Sequence, residues 1–212
     1  MAPFPAAPET APRRPRGRPR KTPAELDDGN RRRQLLKAAA RLFRRRGFDA
    51  TTTRDIAAAV GMHAGSPFYH FESKAALLFA VMEEGMRAAL ARQASALAPA
   101  GDARVKLRRL IRAHFDTLHG PGRDFIPVML YESRALDARQ RAALALLQRD
   151  YEAAWVPVLG ALAADGSLRA DAGLARLLIL GALNWSVQWF DAKKRASLDE
   201  LTDAAMALFI HP

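Results

Sequence analysis

An all-α fold of about nine helices is predicted for this 212-residue chain by three observations. Apolar residues recur at helical spacing through most of the sequence, no stretch alternates apolar and polar residues as a strand would, and cap signals stand where the periodic runs begin. Half of the chain is apolar, enough for a sizeable core. Cysteine is absent, which excludes disulfides, thiolate metal sites and cysteine nucleophiles.

Residues 1–30 are rich in Pro, Ala and Arg with hardly any large apolar residue, the composition of a disordered basic arm. The basic cluster follows a proline-rich stretch, and an apolar h-region is missing. That is the wrong order for a secretory signal, so a cytoplasmic location is expected. Within the arm, Arg16-Gly17-Arg18-Pro19 resembles an AT-hook core. Glycine and proline favour an extended path, and Arg16 and Arg18 suit the negative potential of a narrow A·T-rich minor groove. A solvated basic tail is the alternative reading of the same residues.

From Arg31 to Arg46, the residues Leu35, Ala38, Ala39, Leu42 and Phe43 make one apolar face, and Gly47 closes this support helix. Thr52 and Asp55 have capping-box spacing, so a second helix is expected from about Thr53, with Arg54 in its first turn. Ile56, Ala57 and Val60 form its packing stripe, and Gly61 ends it. After His63, residues from about Ala64 to Phe71 have room for one or two turns only. They set the small run Ala64-Gly65-Ser66 beside Tyr69 and His70, groups that permit close approach to DNA. Ser73 caps the next helix, which starts at Lys74, where backbone N–H groups and a cation together suit a phosphate. Two short helices around a glycine turn, set on a support helix, have the layout of a helix-turn-helix.

Charge divides the chain in the same way. Residues 1–80 hold 16 Lys/Arg and 7 Asp/Glu, a net +9, whereas 81–212 hold 17 and 15, a net +2. A basic first third points to phosphate neutralisation by a DNA-binding domain at 31–80, and the near-neutral remainder to a separate helical domain at 81–212.

The blocks LLKAAARLFRRRGF, TTTRDIA, VGM with Gly65, FYHF and ESKAALLFAV, in this order between Gln34 and Val81, resemble the tetracycline-repressor (TetR) family of bacterial transcriptional regulators. The resemblance implies DNA contacts by Thr53, Arg54, His63, Ala64, Gly65, Ser66, Tyr69, His70 and Lys74. Three positions depart from the family's habits: His63 stands where Ser or Thr is common as a cap, Pro67 where Leu or Ile is common, and Phe68 where a phosphate-contacting Tyr is frequent. Pro67 is tolerable in a first helical turn. Phe68 removes one hydroxyl contact.

Beyond Val81, Asp102, Asp137 with Gln140, Asp171, and Ser197 with Glu200 are cap signals, and Gly120-Pro121-Gly122 and Asp165-Gly166 are breakers. Pro157 should kink the helix expected over Asp137 to Ala164. Leu174 to Phe190 is apolar almost all round, but polar residues interrupt it and it is marginal as a membrane span. It reads as a buried helix covered by its own core and by a second subunit. The family resemblance implies the same, a homodimer through the last two long helices, Asp171 to Phe190 and Leu198 to Ile210.

The five histidines show no ligand spacing for a metal, and neither a nucleophile elbow nor a phosphate-binding glycine loop occurs. A cofactor-free binding protein is therefore expected, not an enzyme. Trp155, Trp185 and Trp189, with Phe115, Tyr131, Arg134, Asn184 and Gln188, are the candidate ligand wall, although an aromatic stripe is more often core or interface. LGALNWSVQWF is similar to the matching segment of TetR-type regulators of lipid or steroid breakdown that sense acyl-coenzyme A thioesters, which implies that ligand class. The expectation is a homodimeric repressor on a near-palindromic DNA operator, released by a small effector. An architectural DNA-binding protein without a ligand and a helical enzyme or carrier stay open as alternatives at this level.

Overall fold

In the computed structural model, the described residues are 23–63, 67–191 and 196–211. Arg16 and Arg18 of the arm and Ala64, Gly65 and Ser66 of the recognition segment lie outside them. The elements are α1 (Pro23–Arg46), α2 (Thr53–Ala58), α3 (Pro67–His70), α4 (Lys74–Leu97), α5 (Ala103–His119), α6 (Phe125–Glu132), α7 (Ala138–Ala153), α8 (Val156–Ala164), α9 (Ala172–Trp185) and α10 (Leu198–Phe209). Short 3-10 turns occupy Ser133–Ala135 and Ser186–Gln188, and the described residues contain no strand.

Helix α1 begins at Pro23, ahead of the Arg31 start expected. Thr22-Pro23-Ala24-Glu25 has capping-box spacing with proline at the first helical position, a signal masked by the polar composition around it. Leu35, Ala38, Ala39 and Phe43 are buried on the predicted face, and Gly47 turns the chain at φ 79°. Helix α2 carries the predicted capping box. The Asp55 amide donates to Thr52 Oγ1 at 3.1 Å and the Thr52 amide to Asp55 Oδ2 at 2.9 Å. Gly61 follows at φ 68°.

Helix α4 is the spine of the molecule. Its first turns pack on α1, and its body packs on α5, α6 and α7. The closest approach is at Gly85, where an added Cβ would fall 1.8 Å from the Phe125 ring, so only glycine lets α6 lie this near. At Pro157 the expected kink is a full break, with α7 ending at Ala153 and α8 opening with proline in its first turn. Ion pairs fasten the outer helices: Arg176 to Glu152 at 2.7 Å joins α9 to α7, and Arg108 to Asp203 at 2.8 Å joins α5 to α10.

Helix α9 is shorter than the Asp171–Phe190 span expected, because the backbone tightens into a 3-10 turn after Trp185. Ala175, Ile179, Leu180 and Leu183 face the core. Leu174, Leu177, Leu178 and Trp185 lie on the other side and are 57–67% exposed. The chain's own core therefore covers one side of α9 only. Among the described residues no helix is long and apolar enough to cross a membrane.

Candidate DNA interface and effector cavities

The head of the helix-turn-helix is held by local bonds. The buried Thr51 hydroxyl donates to the Gly47 carbonyl at 2.8 Å, and the Thr52 hydroxyl holds the Asp55 carboxyl below its usual pKa. Lys74 has a different place from the one expected. Its ammonium donates to the Phe48 and Thr51 carbonyls at 2.8 and 3.0 Å and sits 4.1 Å from the Phe48 ring centroid. Two carbonyls and an aromatic face occupy the cation, so Lys74 ties the start of α4 to the loop before α2 and is not a free phosphate ligand in this arrangement. Arg54 and His63 are exposed, and Thr53 is half-buried at the first position of α2. Tyr69 on α3 is 83% exposed with its ring edge-on to that of the half-buried His70, 5.3 Å away. An aromatic hydroxyl held out from a short helix in this way is suited to a backbone or base contact.

A cleft of about 620 Å³ opens between this domain and the one above it. Lys37 and Arg41 of α1 and Val60 after α2 form its lower wall, and Gly85 and Arg92 of α4 with Phe125 of α6 its upper wall. Asp124, also on the cleft, pairs with Arg44 of α1 at 2.7 Å and bridges the two walls.

Deeper in the upper domain lies a small cavity of about 60 Å³, lined by Met86, Ala89, His114, Thr117, Tyr151 and Asn184 among others. Arg92 and Thr117 stand between the two spaces, the guanidinium donating to the Thr117 hydroxyl at 2.9 Å. His114 is 4% exposed, with Nδ1 2.8 Å from the Tyr151 hydroxyl and Nε2 3.2 Å from Asn184 Oδ1. Burial pushes its pKa down to about 4 and pushes that of the Tyr151 phenol up, so both are neutral near pH 7. His119 is also lowered, first by burial, and its Nε2 lies 2.8 Å from the Ser186 hydroxyl.

The expected aromatic wall is split. Trp155 is fully buried with its ring edge-on to His114 at 6.1 Å, and Asn184 lines the inner cavity. Phe115 is buried in the core and packs on His119. Trp185 and Trp189 are 63% and 47% exposed, Arg134 is exposed, and Gln188 donates to the Tyr131 hydroxyl on the outer surface. The 3-10 turn at Ser186–Gln188 interrupts the helical register that would have kept Trp185, Gln188 and Trp189 in line. His114, which was not among the candidate ligand residues, is central to the inner cavity. The signal was present: Leu107, Leu110, Ile111, His114, Phe115 and Leu118 form one buried helical stripe. Lys37, Arg41 and Arg92 left no such trace, since a basic helix face reads as solvated until a second wall is known. Among the described residues no group of three or more His, Asp or Glu is placed to hold a metal ion.

A helix-turn-helix joined by one continuous helix to an all-helical domain with an internal cavity defines a ligand-responsive DNA-binding regulator. Residues 35–81 match the family model for bacterial regulatory proteins of the tetR family, and residues 100–212 match the tetracyclin repressor-like C-terminal domain. The chain belongs to the TetR family of transcriptional regulators. It is 32% identical over 155 residues to the transcriptional repressor KstR2 of Rhodococcus jostii, covering 71% of this chain and 76% of that protein. A TetR-family regulator from Bordetella parapertussis is 27% identical with a TM-score of 0.77, covering 85% of this chain and 94% of that one. AibR, in its complex with isovaleryl coenzyme A and operator DNA, superposes with a TM-score of 0.79 over 86% of this chain and 99% of its own. At 24% identity AibR shows the shared fold alone.

Proposed function

We propose that this protein is a repressor acting as a homodimer on a near-palindromic operator in the cytoplasm, released by an acyl-coenzyme A thioester. The observation that carries this reading is the cleft of about 620 Å³ with one wall on each domain. A ligand there touches α1, the support of the helix-turn-helix, and α4, the spine of the sensor domain, at once. Lys37, Arg41 and Arg92 suit the phosphates of a coenzyme A nucleotide, and the inner cavity behind Arg92 and Thr117 suits the acyl end. Release needs tighter binding to the arrangement that does not fit DNA, and a coupling of about 1–3 kcal/mol changes operator affinity several-fold to about a hundredfold.

Tyr69, with Thr53, Arg54, His63 and His70 around it, is proposed to face the operator, together with Ala64, Gly65 and Ser66. The exposed leucines of α9 support the homodimer, since a helix apolar on both sides needs cover on both. AibR shares the fold, and the isovaleryl coenzyme A in its complex supplies the first thioester to test. Isovaleryl and other acyl-coenzyme A thioesters, with the matching free acids, are to be titrated into a protein–operator complex isolated by genomic selection. The thioesters are expected to release DNA, and Arg92→Ala to weaken their effect. Release by the free acids alone would overturn the reading.

A further inference from the structure

We infer that the inner cavity is a reading pocket for a short effector terminus bearing one uncharged oxygen, recognised by Tyr151 and Asn184 through His114. This rests on the acyl-coenzyme A reading above for the rest of the effector, but the recognition itself comes from hydrogen-bond bookkeeping in the cavity.

Asn184 Oδ1 can only accept, and it lies 3.2 Å from His114 Nε2, so Nε2 carries the ring proton. In a histidine with no carboxylate among its hydrogen-bond partners and 4% exposed, the other nitrogen is then bare. Nδ1 therefore accepts, and the Tyr151 hydroxyl 2.8 Å away donates to it. The chain of bonds runs one way, from Tyr151 to His114 to Asn184. Its two ends are left with opposite unused capacity. The Tyr151 oxygen keeps its acceptor lone pairs, and the Asn184 amide nitrogen keeps its two donors, with no acceptor for them among the described residues. Both residues line the cavity.

An acceptor and a donor facing one small space match a hydroxyl, which can give to Tyr151 and take from Asn184, or a carbonyl, which takes from Asn184 alone. They do not match a carboxylate. The carboxylate already on the wall, Glu152, is held by Arg176 at 2.7 Å and by Gln148 at 3.0 Å and would repel a second anion, while Arg92, the cation between the two spaces, is engaged by the Thr117 hydroxyl and lines the outer cleft. A cavity of about 60 Å³, far smaller than the cleft of about 620 Å³, takes a small organic fragment and not a long chain. Thr117, also on the wall, has its hydroxyl engaged by Arg92 and the Ala113 carbonyl; the remaining lining is apolar and includes Met86 and Met129, side chains that adapt to a methyl or ethyl group. The terminus it takes is therefore short, neutral and oxygenated, as in a 3-hydroxybutyryl or acetoacetyl group. A plain, long or dicarboxylic chain does not meet these conditions.

The test uses two matched series, butyryl, 3-hydroxybutyryl, acetoacetyl, succinyl and palmitoyl, each as the coenzyme A thioester and as the truncated N-acetylcysteamine thioester. Binding to the full chain is followed by calorimetry, and operator release by fluorescence anisotropy. The 3-hydroxybutyryl ester is expected to bind about tenfold more tightly than butyryl in both series, about the net worth of one hydrogen bond. Succinyl and palmitoyl should bind more weakly than either. Tyr151→Phe and, independently, Asn184→Leu should each bring the two butyryl affinities together. Equal affinity of the hydroxylated and plain esters, or a preference for succinyl or palmitoyl, overturns the inference even if every coenzyme A ester releases DNA. Discrimination within the N-acetylcysteamine series with no DNA release by any coenzyme A ester upholds the pocket and overturns the effector proposed for the whole site. No binding by either series overturns both.

Discussion

His114 shows how a residue's neighbours set its chemistry. On the buried stripe of α5 it meets Tyr151 and Asn184 and no carboxylate, so its charged form is penalised without compensation. With a folded pKa of about 4 against an ordinary value of 6.5, the unfolded chain binds the extra proton between these values. Stability is then full above about pH 6.5 and falls as the pH drops toward 4. At 1.36 kcal/mol per pKa unit this is a loss of roughly 3 kcal/mol. Denaturant unfolding of the wild type and of His114→Gln across this range checks it: the variant should show a shallower slope, and parallel slopes would refute the assignment. Lys74 is the second case. Its ammonium is engaged by Phe48 and Thr51, so Lys74→Met is expected to cost about 1–3 kcal/mol of stability and to weaken DNA binding by loosening the approach to α2. The salt dependence of binding should change by less than the one unit lost with a direct phosphate contact. A full unit lost at unchanged melting temperature would restore the phosphate role.

Among elements, the contact between α4 and α6 governs the cleft. Gly85 lets Phe125 lie against the spine, and Asp124, one residue before Phe125, reaches Arg44 on α1. Gly85→Ala forces α6 away from α4, an overpacking change that costs about 1–3 kcal/mol. Because α6 carries the bridge to α1, the same change should alter operator affinity, measured by anisotropy without any effector. Asp124→Asn breaks the bridge while leaving the packing, and should alter operator affinity with little loss of melting temperature, since a half-exposed pair contributes about 0–1 kcal/mol. Unaltered operator binding in both variants would separate α6 from the DNA-binding domain.

On the scale of the whole molecule, the exposed face of α9 is the one proposed to carry the assembly. Leu174, Leu177 and Leu178 stand out from a helix whose other face is already in the core. A charge there is uncompensated only if a second copy covers it. Leu177→Glu is thus expected to convert a dimer to a monomer in analytical ultracentrifugation and to abolish operator binding, while the monomer keeps its helical circular dichroism. In the intact dimer two helix-turn-helix heads meet successive major grooves, and the two halves of a footprint should lie about 34–36 Å apart or at a multiple of that. A single isolated half-site would contradict this.

Much of the architecture followed from local chemistry. The capping boxes at Thr52, Asp137 and Ser197, the turns at Gly47 and Gly61 and the apolar stripe of α1 lie where spacing predicted them, because each depends on residues within one or two helical turns. The ordered blocks between Gln34 and Val81 carried the family for the same reason: a helix-turn-helix is compact in sequence. The candidate effector cavity was legible only in part. Asn184 was singled out and lines the inner cavity, and Trp155 packs behind its His114, yet Trp185 lies on the exposed face of α9 with Leu174 and Leu178, and Trp189 follows a 3-10 turn and is also exposed. Lys37, Arg41 and Arg92 became a cleft, and Lys74 a strut, only once chain segments far apart in sequence were folded against each other. Amino-acid order by itself determined the helices, their caps and the division of charge, since these are short-range matters of period, hydrogen bonding and composition. Tertiary structure alone decided which side chains share a cavity, since that depends on the angle and depth at which separate helices pack.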